Sequence, residues 1–296
     1  MTMKVYFPSY YVDFKCIADR CRHSCCIGWE IRVDEQTLKK YRSLGREDIL
    51  SHIEDGEMVL CDGSRCPFLD ERGLCRIISD LGEDYTSVIC REHPRFYHRI
   101  GDRVEGGIGI SCEEACRIVL SSDLYDEFCE AEWVGEVAEE TSFDSLSHRE
   151  YIYSVLLIKS LSYPEKVRKI KEKYDLAEPI HSVEEWKIIL SQLEYLEDSH
   201  RELFLVGEGR EEYFKIYERF FAYLVFRHLS VAESYDNLRA RLGFCLLLCS
   251  LLEGYTAENF PSFNEICEHA RAISEEIEYS EDNTAELIFE FEANLF

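Results

Sequence analysis

The sequence predicts a mainly α protein in which a cysteine-rich α+β metal-binding region with a small hairpin, residues 1–118, packs on an α-helical, bundle-like region, residues 119–296. Three observations carry this reading. Eleven of the fourteen cysteines lie at or before Cys129. Residues 1–120 hold 17 Lys/Arg against 21 Asp/Glu, whereas residues 121–296 hold 16 against 38, so the second region is strongly acidic. Near Leu120 the apolar pattern also changes, from short runs between turn signals to recurrences every three or four residues. With 46% hydrophobic residues the chain has material for a packed core, which excludes wholesale disorder.

In chain order, residues 29–33 alternate apolar and polar side chains and predict a strand. Asp34 is placed to cap a helix running through Tyr41, because Glu35, Leu38 and Tyr41 follow at helical spacing. Turn signals fall at Asp62-Gly63-Ser64, Glu71-Arg72-Gly73, Gly101-Asp102 and Gly106-Gly107. Residues 95–100 and 103–110 flank Gly101-Asp102 as a hairpin with a two-residue loop. Helical spacing then covers residues 150–162, 183–196, 211–229, 235–252 and 263–277, with breaks at Tyr163-Pro164, Glu178-Pro179, residues 206–209 and Phe260-Pro261. Phe214, Tyr217, Phe220, Phe221, Leu224 and Val225 form an aromatic stripe that reads as helix-packing core. Cys245, Cys249 and Cys267 sit inside helical patterns as core thiols.

The net charge of −26 argues against nucleic acid as a partner, since phosphate-binding surfaces are basic. No membrane partner is expected: the most apolar stretch, residues 242–252, is about half the ~20 residues a bilayer requires. The first fourteen residues lack the apolar run of a signal peptide, so a cytoplasmic location is the expectation. In a reducing compartment a cysteine group favours metal binding or redox chemistry over disulfides, with an oxidised, disulfide-stapled protein as the alternative.

The chemistry-bearing pattern is Cys16, Cys21, Cys25-Cys26, Cys66-Pro-Phe-Leu, Cys75, Cys90-Arg-Glu-His-Pro-Arg95 and Cys112. Thiolates are soft ligands for zinc and iron–sulfur centres, and either requires several within one small volume. Adjacent cysteines usually point apart, which suggests separate roles for Cys25 and Cys26. Cysteines at 21 and 25 would need a third at position 28 to make the usual radical-type spacing, and Gly28 stands there. Gly106-Gly107-Ile108-Gly109 lacks the spaced glycines of a dinucleotide loop. His23 and His93 are possible ligands, with hydrogen bonding as the plainer role for each.

Taken together, Phe14-Lys-Cys16, Cys21, Cys25-Cys26-x-Gly28-Trp29, Asp34, Cys66-Pro-Phe-Leu69, Gly73-Leu-Cys75, Leu81-Gly82-Glu83, Cys90-Arg91, Pro94-Arg95 and Ser111-Cys112-x-Glu114-Ala115 resemble the flagellin lysine-N-methylase family over the first 118 residues. Part of the pattern also resembles zinc- or iron-chelating cysteine-rich domains. The first resemblance implies a bacterial enzyme that transfers a methyl group from S-adenosylmethionine to lysine side chains of flagellin and holds a 4Fe–4S cluster, with zinc as the alternative metal. It implies Cys16, Cys21, Cys25, Cys26, Cys66, Cys75, Cys90 and Cys112 as the ligand set, and a single cubane takes four of them. Cys61 and Cys116 fall outside the pattern. Arg91 and Arg95 could donate to cluster sulfurs or to the donor's carboxylate, or form structural salt bridges. Trp29 could stack on a cationic donor, or pack as core. No residue stands out as the base that would deprotonate the lysine. A carrier or adaptor that binds metal without methyl transfer is the competing reading, and a thiol redox sensor a third.

Overall fold

A five-stranded mixed sheet, a small cysteine-bearing lobe and a thick helical layer make up the computed structural model, which describes residues 3–62, 64–133, 140–176 and 179–295. The turn position Gly63 and the break at Glu178 lie outside the described residues. The strands are β1 (Lys4–Pro8), β2 (Ile53–Glu54), β3 (Glu57–Met58), β4 (Arg95–Ile100), β5 (Arg103–Ile108), β6 (Phe128–Glu132) and β7 (Glu140–Thr141). The helices are α1 (Glu35–Ser43), α2 (Glu47–Leu50), α3 (Arg76–Leu81), α4 (Val88–Glu92), α5 (Glu113–Ser121), α6 (Ser145–Leu156), α7 (Tyr163–Lys173), α8 (Val183–Gln192), α9 (Phe214–Leu229), α10 (Tyr235–Glu258), α11 (Phe263–Ile273) and α12 (Glu281–Asn294). The mainly α class with one small sheet is therefore the observed architecture.

The expected hairpin is present. Strands β4 and β5 pair antiparallel with Arg95 opposite Ile108 and Ile100 opposite Arg103, and Gly101 takes a left-handed conformation in the loop. The sheet order β6-β1-β5-β4-β7 puts β1 parallel beside β5, with Val5 opposite Val104, 99 positions away in sequence. Strands on both sides of residue 118 thus share one sheet. Gly106 and Gly107 are not turn residues: they lie in β5 under the rings of Tyr97 and Phe96, where any Cβ would collide with the aromatic carbons.

The strand expected at residues 29–33 is reduced to one bridge, Arg32 to Glu57. Its alternation is real, since Ile31 and Val33 are buried, but the only partner is the tight β2–β3 hairpin, which offers too few residues for a ladder. Asp34 caps α1, accepting from the Thr37 amide at 3.0 Å, and also accepts from Val88 N–H at the start of α4.

Among the later helices, residues 150–162 were the expected span and the helix is α6, shifted toward the N-terminus because Asp144 supplies the cap. Tyr163-Pro164 opens α7 rather than ending a helix: Ser162 and Glu165 form a capping box and Pro164 sits where no amide is needed. The span 263–277 is α11 continued by a π-helical turn at Ser274–Glu278, and 211–229 begins with a 3₁₀ turn before α9. Helix α10 is longer than its apolar centre suggested; by length and composition it could cross a membrane, yet 67% of its most apolar window is buried within the fold.

Two separate cores result. The larger unites the sheet with α5 to α12 and contains the aromatic stripe of α9, along with Cys116, Cys245, Cys249 and Cys267. The smaller joins Ile31, Val33, Leu38, Tyr41, Ile49 and Cys66 with a few neighbours. A core of that size needs a further staple.

Candidate metal centre

Cys26, Cys66, Cys75 and Cys90 converge on the small core. A bridge between Ile27 and Arg65, and the Cys66 amide donating to the Cys26 carbonyl at 2.8 Å, hold the first two segments side by side. Gly28, in a left-handed conformation, turns the chain as its amide donates to Ser64. Cys75 occupies the cap position of α3, and a bridge to Leu69 returns it to the Cys66-Pro-Phe-Leu turn. Cys90 comes from α4, which the shared acceptor Asp34 ties to α1. Cys26 adds to the rise of Cys66, Cys75 and Cys90, Cys75 to that of Cys66 and Cys90, and Cys66 to that of Cys90, and Tyr41, whose hydroxyl donates to the Tyr85 carbonyl, is raised by burial and by Cys90, Cys75 and Cys66. Burial lifts Cys66 and Cys90 to about 11. Opposing it, Phe68 N–H points at the Cys66 sulfur, and Ile77 and Ile78 N–H groups at the Cys75 sulfur. Such amides favour thiolates and metal-bound sulfur.

Cys16, Cys21 and Cys112 form a second group against the larger core. Cys112 caps α5, with the Glu114 and Ala115 amides directed at its sulfur while burial raises it to about 11. Cys21 donates to the His23 carbonyl and lies 3.9 Å from Glu113 of α5. Cys16 adds to the rise of Cys21, and both add to the rise of Cys112. Arg271, from α11, faces Cys21 and draws its pKa down against the larger effect of burial. One turn along α5, buried Cys116 donates to the Cys267 carbonyl at 3.3 Å.

Cys25 differs from the expectation that it points away from Cys26. The two thiols are within hydrogen-bonding reach, and that contact, ahead of burial, raises Cys26. Cys61 is exposed and adjoins Cys66. No pair among the fourteen cysteines is joined by a disulfide.

The suggested donor-binding residues separate. The Arg91 guanidinium donates to the Thr86 carbonyl at 3.4 Å and sits 3.7 Å from Glu92. Arg95 lies over the rings of Tyr11 and Phe14, within two residues of Cys16. Trp29 packs edge-on against Tyr279, 5.3 Å between centroids, with His93 at 6.5 Å.

That Trp29 contact leads to a buried polar seam absent from the sequence reading. Glu278 accepts from His228 at 2.7 Å and from the Tyr223 hydroxyl, and Arg227 lies 3.5 Å away. Burial pushes the Glu278 carboxyl up, but Arg227 and His228 together hold it below the ordinary value. Tyr223 accepts from the Ile110 amide, two residues before Cys112. Arg227 also stacks between Phe96 and Tyr279. Arg227-His228 closing an aromatic stripe was the one available signal.

Among the described residues, two groups of three His or carboxylate donors lie within 4.8 Å: His23, Glu113 and Glu268, and His200, Glu275 and Glu276. Both already have partners. Arg22 ion-pairs with Glu113 and Glu268 while His23 meets Glu268 at 2.5 Å, and Glu276 accepts from Leu196 N–H, Glu197 N–H and His200. Neither group contains a cysteine.

Three relatives locate the chain among known proteins. It is 31% identical over 127 residues to the lysine-N-methylases of Salmonella choleraesuis and Salmonella typhimurium, and 30% identical over the same length to the flagellar biosynthetic protein FliU of Salmonella muenchen, of which it covers 75%. The chain belongs to the lysine-N-methylase family. The matched segment is 38% of this chain and 32% of each lysine-N-methylase, so the chain spans about a third of the length of those relatives. No family model and no solved structure matches it.

Proposed function

We propose that this lysine-N-methylase family member transfers a methyl group from S-adenosylmethionine to lysine side chains of flagellin, and that its cysteine groups hold an iron–sulfur centre. The observation that carries the reading is the similarity to lysine-N-methylases and FliU together with the convergence of seven of the eight family cysteines into two thiol groups. The four thiols Cys26, Cys66, Cys75 and Cys90 match the ligand count of a 4Fe–4S cluster. Their spacing supports the larger centre over zinc. Sulfurs at ~2.3 Å from a tetrahedral zinc stand about 3.8 Å apart, and among the described residues no cysteine belongs to a trio of donors within 4.8 Å.

Bound there, the cluster would supply a covalent anchor for the four segments that carry these thiols. The transfer itself forms an N–C bond as the donor's C–S bond breaks and its electron pair returns to sulfur. The attacking amine must first lose a proton, against an ordinary pKa of ~10.4. A desolvated seam lowers that barrier by disfavouring the ammonium form, and the pair Trp29 and Tyr279 at its edge is where we assign the donor.

Cluster-loaded chain incubated with radiolabelled S-adenosylmethionine and flagellin is expected to place label on lysine. Metal-loaded protein that leaves flagellin unlabelled would contradict the reading and favour a metal carrier.

A further inference from the structure

Two distinct thiol sets, belonging to two different cores, occupy this chain. Cys66 is a member of the small core, with Cys26 and Cys75 packed on it, whereas Cys112 packs on the large core. Cys26 is tied to Cys66 by a backbone bond, and Cys75 to the turn that follows Cys66. Cys21 is tied instead to α5, through its contact with Glu113 and the bond from the Arg22 amide to the same carboxylate at 2.9 Å. Mutual electrostatic influence follows the same division: every pair within Cys26, Cys66, Cys75 and Cys90 interacts, as does every pair within Cys16, Cys21 and Cys112.

The sets differ in kind. Four thiols complete the coordination of a cluster or a structural metal, and such closed sites serve folding. Three thiols leave one position for a ligand from outside, the arrangement of reactive sites. Around the three-thiol set are polar atoms without partners. The Nε of Arg271 and the Oγ of Ser111, next to Cys112, are buried and make no hydrogen bond among the described residues. Arg271 retains ion pairs with Glu275 and Glu268, yet its guanidinium faces Cys21 and Cys116. A buried cation facing Cys21 of this set offsets thiolate charge there and that of a bound anionic ligand.

We infer that the chain carries two inorganic centres: a closed one on Cys26, Cys66, Cys75 and Cys90, and an open one on Cys16, Cys21 and Cys112 whose remaining position lies beside Arg271 and Ser111. This rests on the proposal that the thiols bind iron, and it adds that the iron is divided between two sites of unlike reactivity.

Serine substitutions test it without removing a helix cap, because Cys75 and Cys112 both stand at cap positions where serine is favoured. Iron and sulfide per chain, and the paramagnetic resonance spectrum of the reduced protein with and without cyanide, are measured on anaerobically purified full-length chain. Cys112→Ser is expected to lose part of the iron together with the cyanide-sensitive signal, and to keep a cyanide-insensitive one. Cys75→Ser is expected to do the reverse. Cys16→Ser, at an exposed position, repeats the first arm should Cys75→Ser not fold. Loss of all iron on either Cys112→Ser or Cys16→Ser would overturn the division while leaving iron binding intact. Wild-type chain without iron would overturn the underlying proposal instead.

Discussion

Glu253, near the end of α10 and one turn after the buried thiol Cys249, accepts from the Tyr163 hydroxyl at 3.1 Å and from the Gly209 amide at 3.2 Å. Burial raises its carboxyl from 4.5 to about 7. The folded chain therefore binds this proton more tightly than the unfolded chain does. The associated stability is complete below pH 4.5 and is lost as pH rises through 7, to a limit of about 3 kcal/mol at ~1.36 kcal/mol per pKa unit. Glu253→Gln is expected to match the wild type in urea midpoint at pH 5 and to exceed it at pH 8. Equal pH dependence in both proteins would refute this assignment. Nothing in the sequence marked the residue. Its environment is made by Tyr163 and Gly209, 90 and 44 positions away, and only the folded chain brings them together. The cysteines were legible because their chemistry is written in residue type. The division between Cys66 and Cys112 was not, because it depends on which core each side chain enters.

At the scale of elements, β5 is fixed to the helical layer by a buried ion pair. Glu105, with no exposed surface, meets Arg149 of α6 at 2.5 and 2.6 Å, and Ser230 after α9 donates to the same carboxylate. Removing one charge strands the other in a low-dielectric interior, at a cost of about 3–5 kcal/mol. Glu105→Gln is therefore expected to lower stability by that amount, measured by chemical denaturation. The double variant Glu105→Leu/Arg149→Met should recover much of it, because no fully buried charge is then left unpaired; Arg103, the other partner of Glu105 at 2.7 Å, is partly exposed. A double variant as unstable as the single one would contradict this account of how sheet and helices dock. Elements with local signals were readable in advance: the β4–β5 hairpin by its two-residue loop, α1 by the Asp34 cap, and α9 by its aromatic stripe. Those decided by distant partners were not. Strand β6 has no strong β pattern and exists through its pairing with β1, and residues 29–33 lost their strand for want of a long neighbour. Pro164 was misread as a terminator because the same residue is also suited to a helix start.

For the whole molecule, the two cores explain why the cysteines matter. The large core buries the aromatic and leucine side chains of α9 and α10 and can stabilise itself by apolar contact. The small core has ten buried hydrophobic members drawn from residues 31–77, too few to order its loops unaided. The inorganic centre proposed on Cys26, Cys66, Cys75 and Cys90 would supply what is missing, in the way that structural metals carry folding energy in small domains. The polar seam of Tyr223, Arg227, His228 and Glu278 joins the lobes where Trp29 meets Tyr279, so a reactive site there would depend on both. The similarity to lysine-N-methylases extends over 127 residues, 38% of the chain. The most direct test is elemental analysis, with visible absorption, of the full chain purified without oxygen. The account predicts iron and sulfide bound to each chain and the broad absorption of thiolate-ligated clusters. A metal-free chain, or one whose early cysteines are paired as disulfides, would contradict it.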